Sequence, residues 1–264
     1  MGEKMSNAPV YFTVVQVRFN PILNLENYLP DIQGQMRVAR FPDFKRETIQ
    51  QLVMQLASPA EGGQSPAPSF APKARCVFGN IDRTAGFILE HNALSLQTVA
   101  YDTSDTFFAD FLKGMEIVHS ILQLDFIERI GLRYFDAVIP ESERDLSDYL
   151  VPEVLGLSHK LDGELGHSFT ETVTMNSSDQ LVSRVIVQDG LVGLPPEIAP
   201  LAPQINSKFT ETEGRHAIID TDAFCPRRDA FSLEGINLKL SDLHMEIEKS
   251  FKLTVTNFAL EEWK

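Results

Sequence analysis

Between Thr103 and Leu124, apolar side chains recur every three or four residues: Phe107, Phe111, Met115, Val118 and Leu122, flanked by Phe108, Leu112 and Ile121. That period is helical, and the stripe is too wide for a helix washed by solvent on all sides. It must lie on another apolar surface, and a sheet is what the rest of the chain offers. Thr103 or Ser104 is placed to cap this helix, with Asp105 in its first turn. A second stripe, Leu243, Ile247, Phe251, Val255 and Phe258, predicts a last helix starting at Ser241. Leu240 and Met245 are placed as a hydrophobic staple around that cap.

The strand signals come in runs. In 10–19, Tyr11, Thr13, Val15, Val17 and Phe19 alternate with Phe12, Val14, Gln16 and Arg18, so the two sets take opposite faces. Residues 22–37 have helical spacing interrupted by Pro30, which kinks the helix or begins a second one. Residues 45–57 lean to strand through Thr48, Ile49 and Val53. Three strand-like runs, 74–80, 84–90 and 93–101, are separated by turn chemistry and read as a meander. Further strands are expected at 127–138, within 167–189 and at 215–223, with a short helix at 144–156. Residues 58–73 hold four prolines and two glycines and read as a mobile loop; 190–206 is a second irregular stretch.

Strands in runs rather than in alternation with helices argue for α+β, with predominantly antiparallel sheets packed by two long amphipathic helices. The expected organisation is an N-terminal half, 1–157, and a C-terminal half, 158–264, packed as one unit. Each half places strands before a long helix, an order consistent with two similar halves.

Charge and cysteine content bound the chemistry. The formal net charge is −14. A broad grip on nucleic acid needs phosphates neutralised by Lys and Arg, and this balance opposes it. Acidic excess favours solubility and a basic partner. Cys76 and Cys225 stand alone, outside any CxxC or Cys/His cluster, and read as buried free thiols of a reducing compartment rather than zinc ligands. No run of apolar residues is long enough to span a bilayer, and Met1–Ser6 has no apolar leader core. A cytoplasmic chain with no membrane partner is the expectation.

The phosphate-cradling glycine motifs, the nucleophile elbow and HExxH are all missing. The six histidines are scattered without metal-ligand spacing, and His119, off the apolar stripe, reads as solvated. The most unusual chemistry is Arg129-Ile130-Gly131-Leu132-Arg133-Tyr134. In a strand, Arg129, Gly131 and Arg133 share one face, and Gly131 lets a ligand or backbone approach between two guanidiniums. Such a pair can clamp a phosphate or carboxylate, or it can bind the protein's own acids. Asp220 and Asp222, also on one strand face, are the natural internal partners, and Arg18 is placed to join them. A divalent metal between the two aspartates is the alternative to arginine, because close carboxylates need a cation.

These pieces resemble a sporadically distributed family of uncharacterised bacterial proteins of about this length. The resemblance rests on Val17-Arg18-Phe19 before Asn20-Pro21, the Arg129–Tyr134 run, Ile219-Asp220-Thr221-Asp222, and Leu243-His244-Met245-Glu246-Ile247 through Phe251. In that family an Asn follows shortly after the Arg-Tyr pair; this chain has Phe135-Asp136 instead. The resemblance implies no reaction and no cofactor. Its patchy occurrence is like that of genes in mobile or antiviral defence clusters.

With no catalytic signature, the leading expectation is a non-enzymatic binding or adaptor subunit of a multi-protein system. It would have a protein partner, with self-association left open. The alternative is an anion-binding sensor or enzyme in which Arg129 and Arg133, with Tyr134 and Arg18 nearby, hold a phosphate or carboxylate.

Overall fold

The computed structural model describes residues 7–53, 69–141, 143–157, 160–176, 178–195, 198, 201 and 203–264. In chain order the elements are β1 Val10–Phe19, α1 Leu29–Val38, β2 Asp43–Val53, β3 Ser69–Gly79, β4 Ala85–Glu90, β5 Ala93–Thr98 and α2 Ser104–Leu122. Then come β6 Phe126–Val138, α3 Leu146–Tyr149, α4 Pro152–Leu155, β7 His167–Asn176, β8 Asp179–Gln188, α5 Ser207–Thr210, β9 His216–Cys225, β10 Asp229–Ala230, α6 Leu233–Thr254 and α7 Asn257–Glu262.

The strands form one ten-stranded sheet in the order β2-β3-β4-β5-β1-β6-β9-β8-β7, with β10 paired to β6 off this path. Every pairing is antiparallel. The fold is therefore α+β built on antiparallel sheet. β1 and β6 are central neighbours. The meander after β1 returns to it through β5, and the meander after β6 returns to it through β9.

Alternation along the strands divides the sheet into two faces. On one, Val15, Val17, Leu94, Leu96, Ile130, Leu132 and Ala223 pack against Phe107, Phe111, Met115 and Val118 of α2 and Ile236, Leu240, Leu243 and Ile247 of α6. Further along the same face, Val138, Val185, Val187 and Ile219 meet Tyr149, Leu155, Ala259 and Trp263. Among the described residues no long helix covers the opposite face. There Phe12, Phe135 and Ile218 are covered by Val192 and Phe209, with Leu194, Ile198 and Ile205 beside them. The irregular stretch after β8 thus acts as a partial lining of this open face, tied down by Tyr11, whose hydroxyl donates to the Gly193 carbonyl at 2.5 Å.

Several local expectations need correction. α6 starts nine residues earlier than Ser241 suggested. Ser232 is the cap and accepts from the Gly235 amide at 3.1 Å, while Ser241 lies mid-helix and donates to the Asn237 carbonyl. Ile236 and Leu240 extend the buried stripe backwards, so Leu240 is core and Met245, at 60% exposed, is no staple. The helix also stops before Val255. Thr256 caps a separate α7 and donates to the Asp148 carbonyl at 2.5 Å, so Phe258 belongs to a different helix. The single short helix expected at 144–156 is two one-turn helices, α3 and α4. Pro30 sits in the first turn of α1, where its missing N–H costs nothing.

The proline-rich stretch 58–73 divides differently from the expected loop. Residues 54–68 lie outside the described residues. Residues 69–73 are strand, paired with Val53 down to Ile49. Pro72 fits because β3 meets β4 only from Cys76 onward, so among the described residues no strand pairs with its other side at that point.

α2 lies close on the sheet at Gly114, where an added Cβ would sit 2.3 Å from a Phe87 ring carbon. Gly114→Ala is expected to lower unfolding free energy by about 1–3 kcal/mol through overpacking. Gly34, exposed in α1 with nothing within 4 Å of an added Cβ, is the contrast. Gly34→Ala should raise stability by about 0.4–1 kcal/mol. Urea titration of both variants measures the difference.

Candidate functional site

The central strands bring five of the expected residues, Arg18, Arg129, Arg133, Asp220 and Asp222, to the open face. β6 places Arg129, Gly131, Arg133 and Phe135 there, and β9 sets Asp222 opposite Arg133 and Asp220 opposite Phe135. Arg133 reaches diagonally to Asp220, with Nε to Oδ1 at 2.6 Å and Nη2 to Oδ2 at 2.7 Å, a two-pronged ion pair. From the far side, Arg184 on β8 donates to the same Oδ2 at 3.2 Å and to Glu171 on β7 at 2.7 Å. Asp220 is 1% exposed and Arg133 12%. Both aspartate oxygens are therefore taken by guanidiniums, and the chain Arg133–Asp220–Arg184–Glu171 ties four strands together. Arg184 and Glu171 were not singled out from sequence, because an Arg and a Glu on two half-polar strands look like ordinary solvated positions until β8 is known to neighbour β9.

Arg129 is treated differently. Its guanidinium folds back over Gly131, where an added Cβ would lie 2.7 Å from Nη1, and its centre sits 4.5 Å from the Phe224 ring. The glycine gives room to the chain's own arginine. Among the described residues Arg129 makes no ion pair, although Asp222 is close enough to influence it. Burial pulls the Arg129 guanidinium below its ordinary range and Arg18 adds to this, while Asp222 opposes it. Arg18 stands directly across from Arg129 in the β1–β6 register and is exposed. Like charges facing each other across a strand pair are unfavourable unless an anion joins them. Asp222 feels burial, which raises its carboxyl pKa, and Asp220, which adds to this, against the pull of the arginines.

Tyr134 points the other way, into the helix face. In register across five strands run Thr98, Thr13, Tyr134, Thr221 and Ser183, a row of hydroxyls beneath the helices. The Tyr134 hydroxyl lies 3.1 Å from that of Tyr101 and 3.4 Å from Nδ1 of His244 on α6. Thr13 and Thr221 are buried, and their hydroxyls have no hydrogen-bond partner among the described residues. Two residues beyond Tyr134, Asp136 is buried, and burial raises its carboxyl pKa to about 7. Burial also lowers the His244 imidazole and raises the Tyr134 phenol. This polar seam was not foreseen. Asp136 was visible only as the residue standing after the Arg-Tyr pair, and His244 only as part of a helix motif.

The remaining candidates are dispersed. His119 is not solvated as expected: its ring stacks on Phe231 at 4.0 Å and its Nδ1 is buried without a partner among the described residues. His159 lies outside the described residues. Cys76 and Cys225 are free and buried, and burial raises both thiols. Cys225 lines a cavity of about 170 Å³ with Ser178, Arg227 and Lys239, on the side of the sheet away from Arg129. Among the described residues, no group of three or more His, Cys, Asp or Glu gathers as metal ligands. No described helix is long and apolar enough to cross a membrane. No protein-family model and no curated protein matches this chain.

Two stability measurements follow. Asp220→Ala leaves Arg133 and Arg184 facing each other without their shared acid, and should cost about 3–5 kcal/mol by urea unfolding. Asp136 gives a pH signature. Its folded pKa of about 7 exceeds the ordinary 3.8, so the folded state holds a proton that the unfolded chain has released between those values. The slope of stability with pH is negative there: the contribution is full below the lower value and is lost as pH rises through the upper one. Asp136→Asn should flatten the dependence of Tm on pH across this window and raise Tm relative to the parent at pH 8.

Proposed function

We propose that this chain is a non-catalytic binding subunit of a multi-protein assembly, and that it holds an acidic group of its partner on the open sheet face at Arg18 and Arg129. The observation that supports this most is the unequal use of the arginines on that face. Arg133 and Arg184 are committed to Asp220, whereas Arg129 and Arg18 oppose each other across β1 and β6 without an ion pair among the described residues. A carboxylate supplied from outside would relieve that repulsion and use the bidentate geometry that guanidinium favours. The acidic excess of the chain suggested a basic partner; the charges left over on this face are cationic.

The small-anion alternative draws on the same two arginines. It has less support because Arg133, which was to be half of the clamp, faces an internal aspartate. β1 and β6, which carry Arg18 and Arg129, are adjacent strands of the sheet, and each receives its own meander.

Purification of the tagged chain from its native cells at native level should yield a stoichiometric partner. Against that purified partner, Arg18→Ala combined with Arg129→Ala should weaken binding by about tenfold or more, mostly through a loss of salt sensitivity. The melting temperature should hold. Inorganic phosphate alone should not stabilise the chain. Phosphate stabilisation abolished by the double variant, with no partner recovered, would favour the small-anion alternative.

A further inference from the structure

The sheet ends on β2 at one side and on β7 at the other, and the two edges are built differently. β2 opens with Asp43, Lys45, Arg46 and Glu47, a charged fringe of the kind that keeps an edge from pairing. β7 reads HSFTETVTMN. It has no Lys, Arg or Pro. Its register with β8 runs unbroken from His167↔Gln188 to Asn176↔Asp179, so no bulge turns it away. Among the described residues nothing pairs with its outer side. Phe169, Val173 and Met175 stand 55%, 49% and 78% exposed on the open face. Its one acid, Glu171, is already met by Arg184.

We infer that β7 is the seam of a homodimer, in which two copies of the strand pair antiparallel about a two-fold axis through Thr172 and carry the sheet from one chain into the next. Two observations identify the occupant as a second copy. Chains of net charge −14 repel each other unless they meet at a patch without uncompensated charge, and β7 is such a patch. The strand is also self-complementary in this register. Phe169 faces the partner's Met175, a favourable sulfur–aromatic pair. Thr170 faces the partner's Thr174, Thr172 faces itself, and Glu171 faces the partner's Val173. Moving the axis to Glu171 would set two carboxylates directly opposite, which is unfavourable. β7 lies three strands from β6, so the dimer and the Arg18–Arg129 surface are independent.

Light scattering coupled to size exclusion, over a concentration series, should give a mass approaching twice 29.6 kDa. Val173→Glu, which sets a carboxylate directly opposite the partner's Glu171, should return the single-chain mass with an unchanged circular dichroism spectrum. Thr172→Cys should form a disulfide-linked dimer under mild oxidation, since directly opposed Cα atoms lie about 4.5–5.5 Å apart. Thr174→Cys should not, because its two copies would sit about 13 Å apart along the strands. A single-chain mass at every concentration overturns the inference. So does a dimer that survives Val173→Glu, or crosslinking of Thr174→Cys as readily as Thr172→Cys.

Discussion

A ten-stranded antiparallel sheet has two faces, and among the described residues long helices cover only one of them. That constraint organises the molecule. α2 and α6 cover the face of Val15, Val17, Ile130 and Leu132, and the bulk of the apolar side chains collects there. The other face must be made stable without a helical layer. Part of it is lined by the stretch carrying Val192 and Phe209. The centre is held by Arg133, Asp220, Arg184 and Glu171, which pair across four adjacent strands. An ion-paired network on a partly exposed sheet face costs less than it would in a dry core, because the outer charges keep some solvent. It also pins register: a one-residue slip of β9 would move Asp220 to the helix face and leave two guanidiniums unmet.

The same constraint explains which arginines are left over. Asp220 lies two strands from β1, within reach of Arg133 and Arg184 but not of Arg18. Arg129 rests on Phe224 and on the space left by Gly131. The residues of one short motif therefore divide: Arg133 holds the sheet together, Arg129 lies half-buried against Phe224 without an ion pair among the described residues, and Tyr134 turns inward to a buried row of hydroxyls. Consecutive positions on a strand alternate faces, and the two sides of this sheet are chemically distinct.

Much of the open face was legible in the sequence. The antiparallel α+β class followed from strands in runs. The alternation of Gln16 and Arg18 with Val15, Val17 and Phe19 set the two groups on opposite faces of β1. The common face of Arg129, Gly131 and Arg133, and that of Asp220 and Asp222, followed from spacing by two. Pairing partners did not follow, because strand order is non-local: nothing near Arg184 says that its strand adjoins β9. The buried seam was hidden for the same reason, since Thr13, Tyr134 and Thr221 come from three distant segments. Helix ends misled because Ser232 and Ser241 both have cap chemistry, and only the packing of Ile236 and Leu240 chooses between them.

The two arginines of β6 are not equivalent: Arg133 is paired with Asp220, and Arg129 makes no ion pair among the described residues. Side-chain nitrogen-15 NMR with hydrogen exchange reads each guanidinium separately. The Arg133 Nε proton, donated to Asp220, should persist in exchange, while that of Arg129 should be lost rapidly and then become protected when an acidic partner binds. Equal protection of both protons in the isolated chain would contradict the account.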